Sequence, residues 1–537
     1  MGTLVFWATE DDEGAVKEWQ RRWCKRTTDG SDSNCSHMQG SAATPPLIDL
    51  ENWDKQDRGL ADIAFDALQG LVKRVGSSGD VYFFDERKCK WSSGKEQSVR
   101  RKVSLAVEAR LINLAKHFQS LARDEKNDEA RKTLENKAVS IYERIAYIRK
   151  SLGMSHVTSV AIYMFQDDNF VQLLDSKPHL LGVKNGVVDL HTGELRARLP
   201  EDMLYTIVNV DYDPMASDDL IREVVFSAMA DDQEMADYIK KLLGYGCTGE
   251  VSEEIFSVWT GSGRNAKGVL VKAVQSVMGD KFFKVLNNGI IVDKNVSNPD
   301  AERGNLFGAR FAIFNELREG DKLKTNEVQL LSGGDSIPAT PKYKDPMMVQ
   351  PRMLCILTTN HMPEISPVIP AIIERLQCIH FPVTFADLAP GEEPSMFRRQ
   401  RDNDLKTKID SPEGQRGVLR WLVDGAVAWY KSKDLKRNAP AKVTDFSRKY
   451  FEEQDRLTAF LRSRCVLGEE HKIATSFFLT EYNRWVKEND GVASAMTSKA
   501  MMAAMRGKGF MAKEARTKYG NLNSYLGVDV KEEDDGL

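Results

Sequence analysis

A glycine-rich stretch that contains one lysine, TGSGRNAKGV at 260–269, has the residue types of a loop that binds phosphate. Glycines allow successive backbone N–H groups to point at an anion, and a lysine can neutralise the β- and γ-phosphates of a nucleotide. The apolar run 255–259 before the loop predicts a buried strand, and apolar residues at helical spacing over 269–278 predict a helix after it. This order predicts a nucleotide-binding site at Gly261, Ser262, Gly263, Arg264, Asn265, Ala266, Lys267 and Gly268.

Two positions depart from the G-x-x-x-x-G-K-[ST] pattern of such loops. Ala266 stands where the glycine before the lysine is expected, and Gly268 replaces the hydroxyl residue that would contact Mg²⁺. Water could replace the hydroxyl as a magnesium ligand, but we expect the missing ligand to reduce turnover. On the loop alone, an ordinary glycine-rich turn is the alternative interpretation.

Polar side chains follow two further apolar runs that predict buried strands. The run 311–314 ends in Asn315 and Glu316, and the run 353–359 ends in Asn360. A carboxylate at a strand end can hold the shell of a Mg²⁺ ion and orient or deprotonate the attacking water. An amide can hydrogen-bond the γ-phosphate or that water, although Asn360 could equally cap the next turn. Together with the loop, these residues predict a site for hydrolysis of a nucleoside triphosphate.

Three basic positions could contact phosphates outside this loop. Lys342 and Lys344 flank Tyr343 in a turn-rich stretch, which suits a loop that grips a nucleic-acid backbone and equally suits an exposed hairpin tip. Arg375 lies between a predicted helix and a fourth predicted strand, within 371–382. An arginine at that junction could reach a phosphate bound by a neighbouring subunit.

The elements that must position these residues follow from the apolar pattern. Helical spacing over 60–75 and 103–122 predicts a helical region before the loop, and 80–85 between them predicts a strand. A basic stretch around Trp91 follows, and it suits either single-stranded nucleic acid or a solvated hairpin. The region 183–193 predicts a β-hairpin, which we expect to cap the helical region.

The C-terminal region 443–528 predicts three helices followed by a hairpin, an order that resembles a winged-helix module. Two of its helices are predicted at 477–487 and 499–508. DNA binding is about as strongly favoured for this region as packing or oligomerisation. Local positive charge would come from Lys499, Arg506, Lys508, Lys513, Arg516 and Lys518.

Composition favours a soluble, intracellular protein. The chain has 537 residues, of which 42% are hydrophobic and 29% charged, and its formal net charge of -4 requires any contact with nucleic acid to come from local patches. Seven scattered cysteines without a Cys-x-x-Cys pair favour free thiols in a reducing compartment, and Cys24, Cys35 and His37 match no common zinc framework. No apolar run reaches membrane-spanning length and no signal-peptide pattern is visible, so we expect no membrane association.

In their order along the chain, these motifs resemble those of superfamily 3 helicases, and more closely those of the poxvirus-type and phage/plasmid primase–helicase group. HLLGVKNGVVDLHTGEL is similar to the helical domain before the ATPase of that group, and DRLTAFLRSRCVLGEE with TEYNRWVKEN is similar to its C-terminal domain. The resemblance covers residues 47–528, nearly the whole chain. The motifs that carry it are TGSGRNAKG, FAIFNELREG, LLSGGDSIPATPKYKD, LCILTTNHMPEI and IIERLQCIHFP.

The resemblance implies a multidomain α/β fold whose core is an AAA+-like P-loop ATPase with a central parallel sheet. It implies ATP and Mg²⁺ as cofactors, and a homo-oligomeric, usually hexameric ring that moves on single-stranded DNA with 3′-to-5′ polarity in viral, phage or plasmid replication. Asn315 stands where many relatives have an acidic residue, so coordination of Mg²⁺ would depend more on Glu316. By the resemblance, residues 261–267 form the phosphate loop, Glu316 is the catalytic and Mg²⁺-binding carboxylate, and Asn360 is the polar sensor. Arg375 is the arginine finger that reaches into the site of the next subunit, and Lys342 and Lys344 lie on the hairpin that contacts DNA inside the ring.

The same resemblance implies six segments along the chain. Relatives often carry a primase domain ahead of the helical domain, and about 45 residues are too few for one. We therefore expect no primase activity from this chain, and a separate primase or polymerase as a partner. The segments are an N-terminal extension and linker at 1–45, a helical, collar-like domain at 46–215, the ATPase core at 216–385, a helical lid at 386–440, a winged-helix-like domain at 441–528 and an acidic tail at 529–537.

Three functions follow from these patterns. The first is a ring helicase, in which hydrolysis at subunit junctions moves DNA-gripping loops past a threaded strand, in the host cytoplasm or at the site of replication. The second is a ring or scaffold that binds nucleotide and DNA but hydrolyses little, which Ala266 and Gly268 favour and Lys267 and Glu316 oppose. The third is an initiator that recognises a replication origin through the C-terminal region.

Overall fold

The computed structural model describes residues 54–531, except 77, 293–298, 307, 341–346, 366–367, 390, 491–495 and 518–519. The chain divides into two compact units, one formed by Met1–Lys177 with Arg196–Ile207 and the other by Pro178–Leu195 with Val208–Leu537. Among the helices of the described ranges, none combines the length and the apolar composition of a transmembrane segment. Free thiols are confirmed for the cysteines of the described ranges, which are Cys89, Cys247, Cys355, Cys378 and Cys465.

The first unit is mainly helical and contains a small antiparallel sheet. Helix α2 (Gln97–Asp124) forms because apolar residues recur at helical spacing and are buried in the core, as at Val99, Val103 and Val107. The predicted helix 60–75 ends early, because Gly70 takes a left-handed conformation with φ +81° and the next residues form a strand. The elements are α1 (Asp57–Leu68), β1 (Val72–Arg74), β2 (Val81–Asp85), β3 (Lys90–Gly94), α2 (Gln97–Asp124), α3 (Asp128–Ile148), α4 (Ser151–Met164) and α5 (Phe170–Leu173).

The basic stretch around Trp91 is a folded hairpin of this unit. The Trp91 side chain is only 1% exposed, and its indole N–H donates to the backbone oxygen of Pro200 at 2.9 Å. Lys95 on the same hairpin pairs with Asp80 at 2.7 Å. A buried ring cannot stack on a nucleic-acid base, so the structure favours the hairpin interpretation of this stretch over single-strand binding.

The second unit begins with the predicted hairpin, formed by β4 (Leu180–Val183) and β5 (Gly186–Asp189). Glu194 and Leu195, which this unit contributes to β6 (Glu194–Arg196), extend the hairpin to a third strand. Leu181, Val183 and Val188 are buried in one core with residues of α6 (Asp219–Ala228) and α7 (Gln233–Thr248). The hairpin therefore packs in the second unit, whereas the sequence favoured a cap on the helical region.

A parallel sheet of five strands lies at the centre of the second unit. Across the sheet, the strands follow in the order β13 (Leu376–His380), β7 (Phe256–Thr260), β12 (Leu354–Thr359), β9 (Phe311–Asn315) and β8 (Phe283–Val285). Leu357 in the middle of β12 pairs with Val258 on one side and Phe314 on the other. The four predicted strands are confirmed, and β8 was missed because it has only three residues and follows a helix directly. Four further strands form two separate pairs in this region, β10 (Ile337–Ala339) with β11 (Met347–Val349) and β14 (Thr384–Ala386) with β15 (Arg398–Gln400).

Helices connect these strands and cover the sheet. The helix predicted after the glycine-rich loop is confirmed as α8, which begins at Lys267 itself. A multidomain α/β fold with a parallel sheet is therefore confirmed. The helices are α8 (Lys267–Phe282), α9 (Pro299–Arg303), α10 (Thr325–Ser332), α11 (Pro370–Ile373), α12 (Leu405–Asp410) and α13 (Pro412–Ser432).

The C-terminal region contains one strand that the sequence did not indicate. Residues 465–474 form β16, which pairs with β18, and the prediction of helices followed only by a hairpin is wrong there. A bulge between Leu467 and Lys472 breaks the alternation of buried and exposed residues that marks a strand. The elements are α14 (Ala441–Gln454), α15 (Arg456–Arg464), β16 (Cys465–Ala474), α16 (Thr475–Asp490), α17 (Ser498–Gly507), β17 (Ala512–Thr517) and β18 (Gly520–Val530).

Candidate active site

The carboxyl ends of three parallel strands meet at one edge of the sheet. β7 ends at Thr260, β9 at Asn315 and β12 at Thr359, and Thr260 pairs with Thr359 in the register. The glycine-rich loop, Glu316 and Asn360 follow directly after these three strands. The structure therefore brings together the groups that the sequence analysis assigned to strand ends.

The loop between β7 and α8 turns through left-handed backbone conformations. The angle φ is +92° at Gly263, +52° at Arg264 and +66° at Ala266. A Cβ at Gly261 would lie 2.7 Å from the backbone oxygen of Phe381 and 1.8 Å from Nδ2 of the buried Asn265, so any larger residue would require the loop to shift. The left-handed conformation costs an alanine about 1–2 kcal/mol, so Ala266 keeps a shape that glycine would adopt more easily. A curled loop with open space at Gly263 suits a phosphate group.

Lys267 lies at the centre of this edge and is only 5% exposed. Its Nζ donates to the backbone oxygens of Gly261 and Thr359 at 3.1 and 3.0 Å, and to Oδ1 of Asn360 at 3.1 Å. Burial lowers the pKa of Lys267, and the negative charge of Glu316 opposes this shift. A buried ammonium group that contacts uncharged oxygens gains favourable interactions when an anion arrives, so its position favours phosphate binding.

Glu316 and Asn360 are in direct contact. Nδ2 of Asn360 donates to Oε2 of Glu316 at 3.3 Å, so one amide group links the carboxylate to Lys267. Glu316 has φ +49°, which is uncommon for residues other than glycine and is frequent at functional positions. Asn315 makes a separate contact, in which its Oδ1 accepts the hydroxyl of Thr358 at 2.9 Å.

Asn288 is a part of this site that the sequence analysis missed. Its Nδ2 donates to the backbone oxygens of Asn315 and Glu316 at 2.5 and 3.0 Å. These hydrogen bonds hold the left-handed turn from which the Glu316 carboxylate projects. The sequence Asn-Asn-Gly at 287–289 signals a turn, but nothing in a single sequence links that turn to the end of β9.

Arg375 lies at the opposite edge of the sheet. It precedes Leu376, the first residue of β13, which pairs with Phe256, the first residue of β7. Because β7 has five residues, about 16 Å of strand separates this edge from the loop. Nη2 of Arg375 pairs with Oε2 of Glu254 at 2.7 Å. Arg375 therefore takes no part in the site of its own chain, and its contact with a neighbouring subunit stays a prediction.

The remaining predicted contacts concern DNA and magnesium. Lys342 and Lys344 lie outside the described residues, so their role stays a prediction.

Within the described ranges, no group of three or more His, Cys, Asp or Glu side chains could hold a metal ion. Mg²⁺ in nucleotide sites is held largely by phosphates and water, with one or two carboxylates. The residues present fit a nucleotide with its Mg²⁺, since Lys267 and the loop suit the phosphates and Glu316 suits the shell of the ion.

Serine at Gly268 is expected to lower the Mg²⁺ concentration that gives half-maximal ATP hydrolysis, by about threefold to tenfold. A Cβ at this position meets no atom within 4 Å, so a serine hydroxyl would have space there. Titration of hydrolysis with Mg²⁺ measures the effect. Gly268→Ala is the matched control, because it adds the same Cβ without the hydroxyl. Equal Mg²⁺ dependence of the two variants would contradict a metal contact at this position.

The fold and this edge define a multidomain α/β protein with a polar site at the carboxyl end of a parallel sheet. Residues 84–238 match the family described as D5 N terminal like, and residues 259–371 match a family of unknown function, DUF5906. The second match begins at the end of β7 and includes the loop, Glu316 and Asn360.

Proteins from three viruses match long segments of the chain at low sequence identity. A protein named as a helicase from Acanthamoeba polyphaga mimivirus is 30% identical over 258 residues, which are 47% of this chain and 27% of the relative. One named as a helicase from Invertebrate iridescent virus 3 is 25% identical over 372 residues, 65% of this chain and 39% of the relative. One named as a primase from African swine fever virus is 22% identical over 348 residues, 62% of this chain and 36% of the relative. The D5 N terminal like match and the viral relatives named as helicases or primases support a D5-like member of the superfamily 3 helicases and primases.

The chain spans only 27–39% of the length of these three relatives. Among solved structures, the apo NrS-1 C terminal region matches 89% of this chain and 100% of its own, with 10% sequence identity and a TM-score of 0.37.

Proposed function

We propose that this chain is an ATP-driven helicase or translocase that acts on single-stranded DNA as a homo-oligomeric ring, in replication of a viral, phage or plasmid genome. The observation that carries the proposal is the line of contacts from Lys267 through Asn360 to Glu316. A phosphate-binding ammonium group, a polar sensor and a carboxylate are the groups that hydrolysis of a nucleoside triphosphate requires. Relatives named as helicases favour the coupling of hydrolysis to movement on DNA.

The chain's own residues would bind and position the reactants. Bound ATP with Mg²⁺ supplies the γ-phosphoryl group and neutralises part of its charge. Lys267 exchanges its uncharged oxygen partners for phosphate oxygens, and the loop directs backbone N–H groups at the same phosphates. Glu316 orients the attacking water and accepts its proton. Asn360 contacts both Lys267 and Glu316, so it is well placed to respond to the presence of the γ-phosphate.

A ring of subunits would complete this site in the proposal. Arg375 is a strand's length away from the loop of its own chain, so the arginine that reaches the γ-phosphate would come from the adjacent subunit. Lys342 and Lys344 would contact the phosphate backbone of a threaded strand. Phosphate contacts of this kind give strong salt dependence and little sequence preference.

Hydrolysis and strand displacement by the full chain test the proposal. We expect single-stranded DNA to stimulate ATP hydrolysis, and a duplex with a 3′ single-stranded tail to be unwound in the presence of ATP and Mg²⁺. A duplex with a 5′ tail is the matched control for polarity. If ATP binds but neither duplex is unwound, the helicase function is contradicted and the scaffold that hydrolyses little is favoured.

A second candidate function, recognition of duplex DNA, is favoured by the surface of α17. From α15 to β18 the order is helix, strand, helix, helix, strand, strand, which is that of winged-helix modules. On one face of α17 the side chains of Met501 and Met505 are buried, whereas Lys499 and Arg506 are exposed to solvent. Residues 496–513 contain no acidic side chain. A basic helix face without nearby acids in its own segment suits the phosphates of a duplex.

Replacing Lys499 and Arg506 together by alanine is expected to weaken duplex binding about tenfold and to reduce its salt slope by about 2, because two phosphate contacts are lost. Fluorescence anisotropy over a series of salt concentrations measures both effects. The matched control removes Arg448 and Lys449, which are exposed on α14. Equal losses in the two double variants, or no loss in either, would contradict duplex recognition by α17.

A further inference from the structure

Two large apolar side chains are exposed beside the glycine-rich loop. Met396 and Phe397 have 56% and 55% of their surface exposed, in the turn before β15. Neither is part of the hydrophobic cores of the second unit. An exposed aromatic ring beside a polar site suits contact with a flat, partly apolar ligand.

Hydrogen bonds connect this turn to the loop. The backbone oxygen of Phe397 accepts from the N–H of Thr384 at 2.8 Å, and the hydroxyl of Thr384 lies 3.4 Å from that of Ser262 in the loop. The next residue, Phe385, donates its N–H to the backbone oxygen of Arg264 at 2.8 Å. Only two hydrogen bonds therefore separate Phe397 from the residues that would hold the phosphates.

The turn that carries Phe397 is anchored on the second unit. Backbone hydrogen bonds between Ser395 and Arg398 close it, at 2.8 and 3.3 Å. Both terminal nitrogens of Arg399 pair with the carboxylate of Asp231, at 2.9 and 2.7 Å. An aromatic ring on an anchored backbone loses little conformational freedom when a ligand binds, so more of the stacking interaction appears as affinity.

We propose that the ring of Phe397 stacks on the base of the bound nucleotide, with Met396 beside it. The proposal rests on the proposed function, because it requires a triphosphate on the loop. Gly261, Gly263 and Lys267 can bind phosphates but offer no surface for a base. Stacking needs only a flat face, so the site favours nucleotides over inorganic polyphosphates and purines over the smaller pyrimidines.

The test compares ATP with inorganic tripolyphosphate, which has the phosphates but no base. In the full chain carrying Phe397→Ala, we expect the affinity for ATP to fall about tenfold and the affinity for tripolyphosphate to stay unchanged. Phe397→Trp keeps an aromatic face and should retain the affinity for ATP. Isothermal titration calorimetry in the presence of Mg²⁺ measures both ligands.

Tyr142→Ala is the matched control, because it removes an exposed aromatic ring from α3, and neither affinity should change. If Phe397→Ala weakens both ligands equally, or neither, the base contact is overturned. A natural chain that binds ATP no better than tripolyphosphate would also overturn it, while the phosphate site would stand. A natural chain that binds neither ligand would contradict the nucleotide site, and with it the proposed function.

Discussion

Alanine at Lys267 is expected to lower ATP hydrolysis at least about 100-fold and to weaken ATP binding about tenfold or more. The variant loses a buried ammonium group whose contacts, on the oxygens of Gly261, Thr359 and Asn360, place it at the edge of the sheet. The phosphates would then lose a charge-assisted hydrogen bond in a site that is partly shielded from water. Steady-state hydrolysis with and without single-stranded DNA, and titration with a fluorescent ATP analogue, measure the two effects.

Lys272→Ala is the matched control for this variant, because it removes an exposed lysine from the same helix, α8. Equal losses in both variants would indicate a disturbed helix rather than a lost phosphate contact. If the natural chain and Lys267→Ala are equally inert although the natural chain binds ATP, the helicase function is contradicted. Gly268, which lacks the magnesium-binding hydroxyl, would then explain a scaffold or initiator that binds nucleotide without turnover.

The carboxyl edge of the sheet could be predicted from the sequence because buried parallel strands leave a strong signal. β7, β9 and β12 are short apolar runs that are buried on both faces. Parallel strands of one sheet end at the same edge, and ligands of α/β proteins bind there. The order of Lys267, Glu316 and Asn360 along the chain was therefore enough to predict that these residues meet.

Contacts between distant segments could not be predicted in this way. Asn288 holds the backbone of Glu316 through hydrogen bonds that depend on how the turn after β8 folds back onto the end of β9. Trp91 is buried against Phe170, and its indole donates to the backbone of Pro200, more than a hundred residues later. Composition and periodicity describe which residues an element contains, but these roles depend on the partner that the fold supplies.

Glutamine at Glu316 is expected to lower ATP hydrolysis about 10²–10⁴-fold and to leave ATP binding unchanged or slightly tighter. The amide keeps the size of the side chain and an oxygen that can accept from Asn360, but it cannot take a proton from the attacking water. Loss of a negative charge near the phosphates reduces repulsion, so affinity should not fall. Single-turnover hydrolysis and equilibrium titration separate the two effects.

Glu319→Gln controls for the charge, because Glu319 is exposed three residues further along the same segment. We expect Glu316→Gln to remain bound to single-stranded DNA in the presence of ATP, since it binds the nucleotide without turnover, whereas Lys267→Ala should show no such ATP dependence. The two variants would then stop the cycle at different steps, although one amide group joins their side chains. Normal hydrolysis by Glu316→Gln would mean that another group activates the water and that the contact with Asn360 only supports the loop.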